Sequence, residues 1–168
     1  MEIAEGRAVL FYPGSPEGVI RCYQDMVYRI AFTYCKNASD AEDIMQEVFF
    51  RYLKNKTGFS NEEHLKAWLI RVTINASKSL LRSAWFRKTT ALPEHGISHA
   101  PEQVKPAAYY AVLSLPEKYR SVVLLYYYEE YTVGEIAKIL RRTETAIQTQ
   151  LQRARAMLKA KLKEDWEQ

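Results

Sequence analysis

The chain has 168 residues, 48% hydrophobic and 12% aromatic, with a net charge of +4. That composition supports a packed core and excludes a disordered chain. No run of about 18 apolar residues occurs, and Glu2 and Glu5 stand where a secretion signal would be basic then apolar, so membrane insertion is excluded and a cytoplasmic location expected.

Residues 1–14 read as an irregular N-terminal arm ending in Tyr12-Pro13-Gly14. Ser15-Pro16 then supplies an N-cap followed by proline at the first helical position, which predicts a helix to about Lys36. Ile20, Val27, Ile30, Ala31 and Tyr34 are among its apolar positions. Cys22 and Cys35 both fall on this helix, roughly 20 Å apart at ideal rise, too far for a mutual disulfide. Buried or half-buried free thiols are the expectation. Asn37–Asp40 is a turn. Ser39 with Glu42 has the spacing of a capping box, opening a second helix to about Asn55. Lys56–Gly58 breaks it. Ser60 with Glu63 repeats the box and opens a third helix towards Arg82, with an interruption expected near Asn75. Trp68, Leu69 and Val72 are its core candidates.

Residues 89–106 change character. Pro93, Gly96, Pro101 and Pro106 punctuate a polar stretch without helical period, which predicts a linker. Helices resume near Ala107 and again at Pro116. The fold class expected is therefore all-α: two small helical domains, 15–88 and 107–168, joined by a flexible linker.

The last third has the sharpest pattern. Short helices are expected over Thr132–Leu140 and Glu144–Leu162, joined by Arg141-Arg142-Thr143, which is a helix-turn-helix able to lay its second helix in the major groove of DNA. Thr132 with Glu135 forms a capping box, and Thr143 can cap the second helix. Ile147, Leu151, Ala154 and Leu158 form one apolar stripe at 100° per residue. That stripe should pack on Ile136, Ile139 and Leu140. The opposite face carries Thr145, Thr149, Gln152, Arg153 and Ala156, side chains of the kind that read base edges. Gln148, Gln150 and Arg155 flank it at the level of phosphates. From Lys138 to Lys163 there are eight basic residues and one acid, Glu144. A carboxylate in the first turn suits the helix dipole.

The first half has a different surface. Asn37–Phe50 holds Asp40, Glu42, Asp43 and Glu47 and no basic residue, whereas Lys66, Arg71, Lys78, Arg82, Arg87 and Lys88 follow. Phe59, Trp68, Trp85 and Phe86 lie among these cations, a mixture that can hold phosphates while stacking unpaired bases. Together the two halves suggest a protein touching a basic partner on one side and DNA on the other.

Asp40-Ala41-Glu42-Asp43-Ile44-Met45-Gln46-Glu47-Val48-Phe49 closely resembles the polymerase-binding helix of bacterial sigma factors. Lys66-Ala67-Trp68-Leu69-Ile70-Arg71-Val72-Thr73-Ile74-Asn75 resembles the segment that follows it in that family. Leu115-Pro116-Glu117-Lys118-Tyr119-Arg120 opens a block similar to the family's second conserved domain, which ends in Gln152-Arg153-Ala154-Arg155-Ala156-Met157-Leu158. The short length and two-domain plan resemble the extracytoplasmic-function (ECF) group. The resemblance implies sigma region 2 over 15–88 and sigma region 4 over 107–168, and a protein that joins core RNA polymerase, recognises a promoter and helps to melt it. It implies that Asp43, Gln46 and Glu47 bind the coiled coil of the largest polymerase subunit. It implies that Asn75 captures a flipped base of the minus-ten element, with Ala76, Ser77 and Lys78 as the adjoining loop and Phe59 as a pocket wall. Thr149, Gln152 and Arg153, already chosen by the helical wheel, correspond to minus-thirty-five contacts; Thr143, Gln148 and Arg155 are the phosphate contacts. An anti-sigma factor and the polymerase flap are further implied partners. Gln148 and Gln150 stand where many relatives carry arginine, and the arm has no counterpart.

The competing reading is a stand-alone helix-turn-helix regulator whose first domain senses a ligand or dimerises. An enzyme has little support. His64, His95 and His99 lack metal-ligand spacing, and no phosphate-binding glycine loop occurs. No catalytic residue, metal or cofactor is expected.

Overall fold

The computed structural model describes residues 14–87 and 106–166, and these are almost wholly helical. The first half contributes α1 (Pro16–Cys35), α2 (Ala38–Lys54) and α3 (Glu62–Arg87). The second contributes α4 (Pro106–Leu113), α5 (Glu117–Val123), a π-helical turn (Leu124–Tyr128), α6 (Val133–Leu140) and α7 (Glu144–Trp166). The expected all-α class holds for the described residues. The N-terminal arm, but for Gly14, and the linker, but for Pro106, lie outside them.

Local chemistry explains most boundaries. Ser15 caps α1, its Oγ accepting from the Gly18 amide at 3.1 Å, with Pro16 in the first turn. Lys36 ends that helix in the left-handed region at φ 54°. Two caps differ from expectation. Asn37, not Ser39, caps α2, its Oδ1 accepting from the Asp40 amide at 3.0 Å. At α3, Asn61 Oδ1 accepts from the His64 amide at 2.7 Å, while Ser60 bonds the His64 ring instead. In both places a competing Asn sat one or two residues from the chosen Ser, and Asn is at least as good a cap. The interruption expected near Asn75 is absent: α3 runs straight through it. Within it the buried Thr73 and Ser77 satisfy their hydroxyls on the carbonyls of Leu69 and Thr73, four residues back.

The core of the first half is made where α1 crosses α2 and α3, with Val27, Ala31, Val48, Leu65, Leu69 and Ile70 all fully enclosed. Each of the Val, Leu and Ile side chains among them contributes about 1.5–3 kcal/mol by leaving water. Cys35 is half-buried as expected, but Cys22 is exposed; both thiols are free. In the second half α7 packs on α4, α5 and α6. A separate small cluster of Val112, Leu115, Tyr119, Val123 and Ala154 closes its far side.

The two halves also touch. α1 packs on α5 and α3 packs on α6, so that Leu124, Leu125, Ile136 and Ile139 join one continuous apolar cluster with the first half's core. Arg29 of α1 donates to Glu129, just beyond the π-helical turn, at 2.8 Å. Lys66 of α3 lies over the ring of Tyr131 at 5.0 Å.

Candidate nucleic-acid interface

The helix-turn-helix is built as its pattern requires. Thr132 and Glu135 form a complete capping box: the Glu135 carboxylate accepts from the Thr132 amide at 2.8 Å, and the Thr132 hydroxyl accepts from the Glu135 amide at 3.3 Å. These bonds hold the Glu135 carboxyl below its ordinary range. Arg141 turns the chain at φ 54°, and Thr143 then caps α7 by accepting from the Ala146 amide at 3.1 Å. Ile147 and Leu151 are buried in one cluster with Ile136, Ile139 and Leu140 as expected, whereas Ala154, buried, and Leu158, half-buried, pack instead with Val112, Leu115, Tyr119 and Val123, because the C-terminal part of α7 runs past α6 onto α4 and α5.

That buried stripe fixes what faces out. Gln152 and Arg153 are exposed, as are Thr145, Gln148 and Ala156, while Thr149 is half-buried. The Thr149 hydroxyl donates to the Thr145 carbonyl at 2.9 Å, which leaves its oxygen free to accept. One arginine is held by tyrosines, and another lies near one. Arg155 donates to the Tyr127 hydroxyl at 2.7 Å and lies over the Tyr126 and Tyr127 rings. Burial would raise the Tyr119 hydroxyl, but Arg153 and Lys118 beside it bring it below its ordinary value. The tyrosine run 126–128 gave no signal as a DNA element in sequence, because only the π-helical turn aims Tyr127 at α7.

On the first half the chosen residues separate. Asn75 is exposed and Lys78 half-exposed, and both line a crevice of about 330 Å³ with Arg71 and Trp68. The opposite wall belongs to the second half: Arg141 and Arg142 of the helix-turn-helix connection, with Ile139 and Leu140. Arg71 was expected only as one of several cations and Arg141-Arg142 only as a connection, since nothing local in the sequence brings Arg71 to that pair. Ala76 lines a different groove of about 250 Å³, between α2 and α3, with Asp43, Glu47 and Arg51. Ser77 is fully buried. Phe59 is also buried, stacked on Tyr52 and edge-on to Trp68 and His64. So of the four adjoining positions only Lys78 shares the Asn75 crevice, and Phe59 supports it from behind through Trp68.

Asp43, Gln46 and Glu47 form an exposed face of α2, where Glu47 pairs with Arg51 at 2.7 Å. An apolar strip accompanies them. Phe50 and Leu53 are more than half exposed, and Lys54 lies over the Phe50 ring at 4.2 Å. The spacing 46, 50, 53 already sets these residues on one helical stripe away from Ala41, Ile44 and Val48. No described helix is long and apolar enough to cross a membrane. Among the described residues no group of His, Cys, Asp or Glu is placed to hold a metal ion.

Comparison with known proteins bears directly on these surfaces. The Sigma-70 region 2 family profile matches residues 19–87, and the Sigma-70 region 4 profile matches 107–158. The chain is 25% identical over 166 residues to the ECF RNA polymerase sigma factor SigW of Bacillus subtilis strain 168, covering 87% of this chain and 88% of that one. It is 28% identical over 144 residues to the RNA polymerase sigma factor SigV of the same strain, covering 82% and 86%. Its fold is similar to that of the sigma factor RpoE in complex with the anti-sigma factor NepR from Bartonella quintana, with TM-score 0.74 and 19% identity over 88% of this chain and 96% of that one. It is also similar in fold to CnrH in complex with the cytosolic domain of CnrY, with TM-score 0.64 and 19% identity over 90% and 92%. The two profiles match in chain order over most of the sequence, and the chain belongs to the sigma-70 family of RNA polymerase sigma factors, as a member of its ECF type.

Proposed function

We propose that this protein performs transcription initiation by binding core RNA polymerase through α2, reading promoter DNA with α7 and holding a melted strand on α3. The observation that carries this reading is the open face of α7, Gln152 and Arg153 above a fully buried stripe, on the same chain as the acidic, partly apolar face of α2. Asp43, Gln46 and Glu47, with Phe50 and Leu53 beside them, offer charge and apolar area to a basic helical partner, the coiled coil of the largest polymerase subunit. Thr149, Gln152 and Arg153 read the minus-thirty-five element, where arginine suits guanine and glutamine suits adenine. Gln148, Arg155 and Thr143, whose hydroxyl hydrogen is left by its cap, meet phosphates. Asn75 and Lys78 hold an extruded minus-ten base; extrusion costs a few kcal/mol, which stacking and pocket contacts must offset. Ser77 and Phe59 stiffen that site from within, and Ala76 belongs to the α2 groove.

On this reading the protein is an initiation factor with no reaction of its own and works in the cytoplasm beside polymerase. An anti-sigma partner is the natural regulator, in line with the complex named for the Bartonella quintana relative.

Gel filtration with core polymerase tests the reading, followed by sequencing of transcripts made by the reconstituted holoenzyme. Co-elution and a discrete set of start sites are expected; specific duplex binding without polymerase would favour the stand-alone regulator. The double variant Gln46→Ala, Glu47→Ala should weaken the polymerase complex at least tenfold, about 1.4 kcal/mol. Its thermal stability should stay within about 0.5 kcal/mol of the parent, because both side chains are exposed.

A further inference from the structure

The seam between the two halves is built as a reversible contact. Its centre is apolar, with Ile136 and Ile139 of α6 sharing one cluster with Leu69 and Ile70 of α3. Its edges are polar and imperfect. Arg29 and Glu129 pair at 2.8 Å with Glu129 almost enclosed, yet the Nε atoms of Arg29 and Arg120 are buried without a hydrogen-bond partner. Arg71, Lys78, Arg141 and Arg142 face one crevice whose lining contains no carboxylate. A permanent interface would not keep unpaired buried donors and a knot of like charge, since each costs free energy.

The closed arrangement also conflicts with the reading above. Minus-ten and minus-thirty-five elements lie about 25 base pairs apart, or roughly 85 Å along the duplex. A compact chain of 168 residues has a radius of gyration of about 15 Å and is about 40 Å across. Residues 89–106 can reach about 60 Å when extended, enough to let two separated halves span the interval.

We infer that the free protein masks itself: α5 and α6 dock on the face of α1 and α3, the α6–α7 connection with Arg141 and Arg142 walls off the Asn75 surface, and the Arg29–Glu129 pair latches the closed form. Gln152 and Arg153 stay exposed, so the mask falls on strand capture and on simultaneous engagement of both elements. The inference rests on the sigma-factor reading for its consequence, but the docking can be measured without polymerase.

Small-angle scattering of the full chain and its binding to a short labelled single-stranded DNA of mixed sequence test it. The decisive variant is Arg29→Glu. It removes a positive charge, which by charge alone weakens DNA binding, whereas unlatching strengthens it. The expected result is an increase in radius of gyration from about 15 Å to beyond 20 Å and DNA binding tightened about three- to tenfold, as the competent fraction grows. The swap Arg29→Glu, Glu129→Arg should restore the compact form and the parent affinity, and a helical circular-dichroism signal equal to the parent's shows that the single variant is folded. An extended parent chain overturns the docking. A compact Arg29→Glu chain with weakened DNA binding overturns the latch. Expansion without tighter binding overturns the mask. Failure of the parent to co-elute with core polymerase would instead overturn the sigma-factor reading and leave the scattering result standing.

Discussion

The two surfaces proposed to meet DNA are built in opposite ways. The α7 surface is local: one helix supplies both the buried stripe and the outward face, and neighbouring tyrosines hold Arg155 in place. The Asn75 surface is composite. One helix supplies its floor, a buried aromatic cluster supports it, and the other half of the chain supplies its far wall. A local site depends on one helix being seated correctly. A composite site depends on how two bodies are arranged, so it can be switched.

The strongest way to break this contrast is to unseat α7. Leu151 is fully buried beneath Gln152, and Leu151→Ala should cost about 2–5 kcal/mol by leaving a cavity. Thermal denaturation would read the loss, and minus-thirty-five recognition should fall with it. Unchanged stability would mean the reading face does not depend on that stripe. Arg153→Ala sharpens the same contrast without touching the core. It should cost about 1–3 kcal/mol at one base-pair position and relax promoter choice, with stability unchanged. A uniform loss across all sequences would make Arg153 a phosphate contact.

Smaller effects fall on the capping box that starts the helix-turn-helix. Thr132→Ala removes the acceptor for the Glu135 amide and should lower stability by about 1 kcal/mol, measured by denaturant unfolding. The pH dependence of that box has a definite sign. The Glu135 carboxyl lies below its ordinary value in the folded chain, so its contribution is fully present above that ordinary value and is lost as pH falls through the folded one. Glu135→Gln should therefore lower the melting temperature slightly at neutral pH, with the difference from the parent shrinking on acidification into the carboxylate range. A difference that widens on acidification would contradict the assignment.

Sequence alone reached far where the physics is local. Helix-forming periodicity, the Ser15, Thr132 and Thr143 caps and the buried stripe of α7 all depend on residues within one or two turns. Its errors were also local competitions: Asn37 and Asn61 capped in place of Ser39 and Ser60, and α3 passed through Asn75 without a break. The exposed strip of Phe50 and Leu53 is likewise legible from spacing.

What the chain's order determined, then, is which segments are helical, which face of each is apolar and which side chains project from α7. Tertiary structure decided what Asn75 looks at. Arg29 and Glu129 are a hundred residues apart, and Arg71 and Arg142 meet across a crevice that no local periodicity encodes. It also decided that Ala76 and Lys78, two positions apart, serve different grooves, because successive side chains on a helix point in different directions and only the packing of neighbours gives each direction a meaning.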